Sequence, residues 1–280
     1  MQLATVAPAS VLAPAAPLAP NRSIAPVATL APDTAAGAQQ RAASGDLEKY
    51  YATAQGKQGA ELLRALHLIV RTGHVDRGYA QARDELFGDV ADLDGDNQVE
   101  DVFTGELHGP ITNRKDAYDR GLNTEHTWPQ SKGATGIAQS DLHHLQPADI
   151  RTNERRGSHP YGEVLKVEWS TGEGPNQAKL GVDALGETVF EPRDSVKGDI
   201  ARGLLYFYTR YSQSRTQDFT LENFRHELPT LLKWNIQDPV DDNERARNDE
   251  VQRVQGNRNP YIDHPEYVDA VGFGKLDLGK

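Results

Sequence analysis

Residues 140–157 read SDLHHLQPADIRTNERRG, a stretch in which a His-rich strand leads directly into a short helix. Pro147 suits the first position of a helix and Gly157 suits the position after its end, so the sequence predicts a helix of about nine residues, roughly 13 Å long. Three polar residues recur at i, i+4 and i+7 of this helix and share one of its faces: Asp149, Asn153 and Arg156. On spacing alone, a solvated face explains this stripe as well as a ligand-binding face does.

A carboxylate stands next to an imidazole in NTEHTWPQS, residues 123–131. On an extended segment Glu125 and His126 point to opposite faces, so both can ligate one metal only if the chain bends there. A division of labour suits the pair better, in which the carboxylate binds a metal and the imidazole faces a water molecule. The alternative interpretation is a surface or core histidine whose hydrogen bonds are satisfied.

The composition of the 280 residues excludes several classes of protein. The chain has no cysteine, which excludes disulfides, thiolate metal sites and cysteine nucleophiles. No run of 18 apolar residues is present, which excludes a transmembrane helix. The 30 basic and 41 acidic residues give a formal charge of −11, so a nucleic-acid partner must be met through a local basic surface.

The composition changes sharply near residue 45. Residues 1–45 hold six prolines and fifteen alanines but no aromatic residue, and their apolar stretch has no Lys or Arg before Arg22. Frequent proline removes backbone donors and forbids a continuous helix, so we expect a disordered Pro/Ala-rich leader that does not resemble a signal peptide. The composition of residues 46–280 predicts a single folded domain.

Helical spacing dominates the second part of the chain and predicts an α+β, helix-dominant fold. Apolar residues recur on one helix face between residues 62 and 70, and this helix should stop near Gly73. Similar spacing predicts helices over residues 79–86, 200–211 and 224–232, the last kinked or divided by Pro229. Asp238 and Pro239 are typical of a helix start. Short strands are predicted over residues 99–104, 163–169 and 188–190.

Residues 92–97 read DLDGDN, the start of a calcium-binding EF-hand loop. Position 6 of such a loop requires glycine and position 12 a bidentate glutamate, whereas this chain has Asn97 and Phe103 there. An Asp/Gly-rich turn before a strand is therefore the favoured interpretation, with a weak calcium site as the alternative.

Several motifs together resemble the endonuclease I family of His-Me finger (ββα-metal) nucleases. Besides the two stretches quoted above, KGDIARGLLYFYTRY at residues 197–211 and the segment 238–266 are similar to that family and stand in the same order. The resemblance runs from about residue 61 to residue 267. It implies a single domain built around a ββα-metal finger, with strands around residues 124–128 and 142–145 and a loop at 129–141.

The resemblance also implies the roles of individual residues. His126 occupies the position of the general base, Glu125 that of one metal ligand, and Asn153 that of the other. Arg156 lies on the helix face of Asn153 and is predicted to donate a charge-assisted hydrogen bond to the substrate phosphate. His144 receives no catalytic role.

These residues predict a metal-dependent, largely sequence-non-specific endonuclease of DNA, with RNA as a further substrate. His126 would activate the attacking water beside a single divalent metal. Mg²⁺ is the expected cofactor, with Mn²⁺ or Ca²⁺ as substitutes, because a carboxylate, an amide oxygen and waters suit a hard cation, whereas Zn²⁺ prefers more nitrogen or sulfur.

We expect a secreted or extracytoplasmic monomer, since a non-specific nuclease endangers the genome of its own cell. The alternative function is a non-catalytic secreted module that binds calcium at residues 92–96 and keeps a degenerate finger. The presence of Glu125, His126 and Asn153 together favours the enzyme.

Overall fold

Helices and three small antiparallel sheets make up the computed structural model, which describes residues 46–172, 174, 176–213 and 219–278. The α+β class with helix dominant is therefore confirmed. The predicted leader, residues 1–45, lies outside the described residues. Within the described part of the chain, no helix is long and apolar enough to cross a membrane.

The helices are α1 (Gly59–Arg71), α2 (Tyr79–Glu85), α3 (Arg114–Asp119), α4 (Ile150–Arg156), α5 (Lys197–Tyr211), α6 (Glu222–Gln237), α7 (Asp242–Gln255), α8 (Pro260–Asp263) and α9 (Tyr267–Val271). The strands are β1 (Val99–Glu100), β2 (Leu107–His108), β3 (Leu122–His126), β4 (Leu145–Asp149), β5 (Lys166–Ser170), β6 (Lys179–Val182) and β7 (Thr188–Glu191). Among these strands β1 pairs with β2, β3 pairs with β4, and β6 lies between β5 and β7.

The core forms around α5, where every residue except Asp199 is buried. A helix buried on all sides must be covered by neighbours on every face, and α1 and α6 both pack against it. The predicted apolar face of α1 is confirmed, because Leu62, Leu66 and Val70 are fully buried. The helix ends at Arg71, close to the predicted stop at Gly73.

The strand–strand–helix unit β3–β4–α4 differs in its boundaries from the prediction. Residues 142–144 form a 3-10 turn instead of a strand, because the Asp141 side chain accepts a hydrogen bond from the His143 N–H. Pro147 lies inside β4 opposite Thr124, and not at the start of the helix. Asp149 caps α4 by accepting from Thr152 N, so the helix has seven residues.

Side-chain hydrogen bonds also move other predicted boundaries. β1 stops at Glu100 because the Asp101 carboxylate accepts from the N–H groups of Phe103 and Thr104 and turns the chain. The last long helix begins at Asp242, capped by Asp241 and not by Asp238.

Other predicted elements are shifted or continuous. The Asp238 carboxylate, which was predicted to begin the last long helix, accepts a hydrogen bond from Gly198 N at the start of α5. The predicted strand 163–169 runs from Lys166 to Ser170. Pro229 lies inside α6 without dividing it.

The acidic loop before β1 is a tight turn. Ligand oxygens of Asp92, Asp94 and Asp96 lie within 4.8 Å of one another. Their carboxylates accept hydrogen bonds from backbone N–H groups of residues 96–98, and Asn97 has a φ of 62°. Asparagine tolerates this left-handed conformation better than most residues do, so the turn interpretation accounts for the sequence of the loop.

Candidate active site on the β3–β4–α4 unit

The β3–β4 ladder places Glu125 and His126 at the end of β3. Glu125 pairs with Gln146 across the ladder and His126 pairs with Leu145. Because side chains alternate along a strand, Glu125 and Asn123 leave the same face of β3, whereas His126 leaves the other. Helix α4 packs against both strands, and its Asn153 lies on the Asn123 side.

Glu125 is a buried carboxylate held from one side. Its Oε1 accepts a hydrogen bond from the Tyr161 hydroxyl at 2.8 Å and lies 3.2 Å from Nε of Arg156. Burial raises the pKa of Glu125, while Arg156 and Tyr161 act in the opposite direction. A divalent cation would favour the ionised carboxylate further, because it supplies opposite charge in a poorly solvated place.

The His126 imidazole is 6% exposed and is oriented by the loop between the strands. Its Nε2 lies 3.2 Å from the backbone oxygen of Gln139, a contact in which the nitrogen must donate. The proton is thereby placed on Nε2, which leaves the lone pair on Nδ1; the Gln130 amide nitrogen lies 3.4 Å from Nδ1 and 3.5 Å from Nε2. Burial first, and then the neighbouring His144, lower the pKa of His126 to about 3, so the ring is neutral.

Asn153 offers an amide oxygen on the Glu125 side of the hairpin. Its Nδ2 donates to Oδ1 of Asn123 at 2.8 Å, which turns Oδ1 of Asn153 to other partners. A carboxylate and an amide oxygen are hard donors of the kind that Mg²⁺ and Mn²⁺ take, with water completing the shell. The donor set therefore fits the predicted metal. His126, on the opposite face of β3, is separated from it.

Arg156 is 1% exposed and its guanidinium is surrounded by protein atoms. Besides the contact to Glu125, Nη2 donates to the Thr127 oxygen at 2.7 Å and Nη1 to the Gly157 oxygen at 2.9 Å. These bonds tie α4 to the end of β3. The predicted phosphate contact of Arg156 stays a prediction, whereas its contacts indicate that it positions Glu125.

Two further side chains that the sequence analysis did not identify lie on the His126 side: Tyr79 packs against His126, and Arg83 packs against Tyr79. The Tyr79 ring lies 5.4 Å from the His126 ring, and the Arg83 guanidinium lies 4.3 Å above the Tyr79 ring. Arg83 is half-buried, its Nε has no hydrogen-bond partner, and it makes no ion pair with the described residues. The i, i+4 spacing of Tyr79 and Arg83 on one helix is the sequence pattern that could have indicated this contact.

Comparison with known proteins identifies the relatives of this chain. A family model described as Endonuclease I matches residues 74–266. The chain is 36% identical over 241 residues to the extracellular ribonuclease of Bacillus amyloliquefaciens, with 81% of this chain and 79% of that protein aligned. The extracellular ribonuclease of Bacillus subtilis is 35% identical over 247 residues, covering 84% and 82%. The extracellular deoxyribonuclease of Aeromonas hydrophila is 28% identical over 125 residues, 45% of this chain and 50% of that protein.

Proposed function

This chain belongs to the endonuclease I family and is an endonuclease, and we propose that it hydrolyses phosphodiester bonds of both DNA and RNA with little sequence preference and with one divalent metal. The observation that carries the proposal is the placement of Glu125, His126 and Asn153 on one strand–strand–helix unit, which we take as the ββα-metal finger. The metal donors lie on one face of β3 and the base on the other.

The reaction follows from the state of His126. The water molecule attacks the phosphorus, its proton passes to Nδ1 of His126, and the bond from phosphorus to the 3′-oxygen breaks. The leaving oxygen takes a proton from solvent. A positioned general base contributes typically about 10²–10⁴-fold, and the bond from Nε2 to the Gln139 oxygen fixes which nitrogen performs this role. When bound at Glu125 and Asn153, Mg²⁺ supplies Lewis-acid stabilisation of the phosphoryl and leaving oxygens.

Arg83 is the arginine best placed to receive the phosphate. It is partly exposed, supported by the Tyr79 ring and close enough to His126 to help lower its pKa. A guanidinium without a carboxylate partner binds phosphate without first breaking an internal ion pair. Arg156 is buried, and its contact with Glu125 holds that carboxylate in place.

The substrate range follows from the nucleophile. Water attacks without help from a 2′-hydroxyl, so the sugar does not limit cleavage to RNA. Relatives named as ribonucleases and as deoxyribonucleases support activity on both polymers. Contacts to phosphate and sugar carry no sequence information. The relatives named extracellular or periplasmic likewise support an extracytoplasmic location.

Digestion of plasmid DNA and of a long RNA, with Mg²⁺ and with EDTA, tests this function. We expect both polymers to be degraded with Mg²⁺ and neither with EDTA. His126→Ala should lower the rate at least about 100-fold, whereas His108→Ala, which removes a histidine on the β1–β2 hairpin, should leave it unchanged. Degradation at the unmodified rate by His126→Ala would show that the base has been assigned incorrectly.

A further inference from the structure

A cavity of about 230 Å³ lies between the end of α1, the end of α5 and the loop that connects β3 to β4. Two arginines contribute to its wall together with small, hydroxyl and aromatic residues. The lining includes Arg71, Gly133, Thr135, Ala138, Arg210 and Phe219. Among the described residues that line it there is no carboxylate, although the chain carries a formal charge of −11.

Arg210 is the unusual member of this wall. The residue is 5% exposed, and its guanidinium lies 4.6 Å above the Tyr211 ring. Its Nε is buried without a hydrogen-bond partner, and it forms no ion pair with the described residues. Buried charges are normally paired and buried donors normally bonded. An unpaired guanidinium in a cavity wall therefore indicates an anionic ligand.

The acidic groups of this region, Asp141 and Asp76, are bonded to other partners; Asp76 Oδ1 accepts from the Ser140 hydroxyl at 2.7 Å and from Gly78 N at 2.9 Å. Asp141 is fully buried and its carboxylate is occupied by the hydroxyls of Tyr206 and Tyr211, at 2.8 and 2.7 Å. The Gln255 amide donates to its other oxygen at 2.8 Å. Arg71, on the exposed rim, adds a second positive charge at the mouth of the cavity.

The loop that lines the cavity also orients His126. The Ala138 oxygen accepts from Nε2 of His144 at 2.7 Å, and the next residue, Gln139, provides the oxygen that orients His126. The His144 ring lies 5.5 Å from the His126 ring. The cavity and the support of His126 therefore belong to one loop, residues 133–139.

We propose that this cavity binds a backbone phosphate of the nucleic-acid strand that flanks the cleaved bond. The planar fork of Arg210 suits a phosphate, the Thr135 hydroxyl can donate to it, and Phe219 offers an apolar wall to the adjoining sugar or base. This inference rests on the proposed function, because it takes a nucleic-acid strand as the ligand. The same chemistry would hold free inorganic phosphate, so the two sources must be distinguished.

Binding of a fluorescent single-stranded oligonucleotide in EDTA, followed by anisotropy, tests the cavity without cleavage. Arg210→Gln and Arg71→Ala should each weaken binding about tenfold and lower the slope of log affinity against log salt by about one unit for each lost phosphate contact. Arg64→Gln, which removes an exposed arginine of α1, should change neither. Arg71→Ala keeps the test available if Arg210→Gln fails to fold.

Titration of the same variants with inorganic phosphate distinguishes the sources. Wild-type affinity of both variants for the oligonucleotide would overturn the proposal. So would loss of phosphate-ion binding in Arg210→Gln with oligonucleotide binding intact, because the cavity would then be a free-phosphate site. If the unmodified protein binds the oligonucleotide through these arginines but cleaves no nucleic acid, the proposed function fails while the cavity assignment stands.

Discussion

Two of the buried arginine–glutamate pairs in this molecule are built differently. Arg202 and Glu244 join α5 to α7, and the guanidinium contacts both carboxylate oxygens, through Nε at 2.8 Å and through Nη2. Arg156 and Glu125 join α4 to β3; their closest contact runs from Nε to Oε1 at 3.2 Å, and this oxygen also accepts from Tyr161. In a pair that only stabilises packing, both carboxylate oxygens are bonded to the guanidinium. In a pair whose carboxylate also binds a metal, one oxygen stays available for the metal.

The largest expected effect comes from removing the charge of each glutamate. Glu125→Gln should lower nuclease activity at least about 100-fold, since Lewis-acid stabilisation supplies several kcal/mol, and should lower stability as well, because Arg156 and Glu125 are both buried. Glu244→Gln should lower stability alone. Breaking a buried pair costs about 3–5 kcal/mol, or roughly 10 °C for a domain of this size, with activity per folded molecule retained.

Thermal melts and plasmid digestion on both variants provide the check. Equal activity per folded molecule in the two variants would mean that the pairs have the same role. The comparison would then carry no information about the active site.

Changing each arginine to lysine sharpens the comparison, because the charge stays while the planar fork is lost. Arg156→Lys loses the bonds to the Thr127 and Gly157 oxygens. It should lower activity about tenfold, the effect typical of residues that orient a metal ligand. Arg202→Lys should lower the melting temperature and keep the specific activity. A fully active Arg156→Lys enzyme would contradict the positioning role.

A further effect depends on pH and on a second carboxyl near Arg156. Glu227 is buried and accepts from Tyr161 N at 2.7 Å, and burial raises its pKa to about 7. Since this is above the usual value, the folded state binds a proton that the unfolded state has lost between about pH 4.5 and 7. Stability therefore falls as the pH rises through this window.

Glu227→Gln keeps the acceptor for Tyr161 N and removes the charge, so it isolates this contribution. Urea unfolding at pH 4 should give equal stabilities for the variant and the unmodified protein. At pH 8 the variant should be more stable, by at most about 3 kcal/mol. A stability difference that does not change with pH would contradict the raised pKa.

The sequence predicted elements better than it predicted contacts. The apolar spacing of α1 determines which face is buried, and the apolar positions of α5 lie in a helix that is buried on all sides, so both helices were predicted. Pro147 suggested a helix start, yet it lies in β4, where its own oxygen accepts from Val102 N. That contact joins residues far apart in the chain, and periodicity carries no information about it.

The same limit applies to the arginines of the site. Arg156 has a local pattern typical of a ligand-binding face, but its burial depends on Tyr161 and on the end of β3. Whether Arg83 or Arg210 lacks a carboxylate partner depends on residues from other elements. The identities of Glu125, His126 and Asn153 could be proposed from motifs, because the order of motifs is a property of the sequence itself.

Manganese binding, measured by calorimetry alongside DNA cleavage on the same samples, tests the central claim most directly. Glu125 and Asn153 are proposed to hold the metal while His126 stays free to take the proton. His126→Ala should therefore bind Mn²⁺ with the unmodified affinity and cleave at least about 100-fold more slowly, whereas Glu125→Gln and Asn153→Ala should lose both properties. Loss of Mn²⁺ binding in His126→Ala, or unmodified binding in Glu125→Gln, would contradict the account.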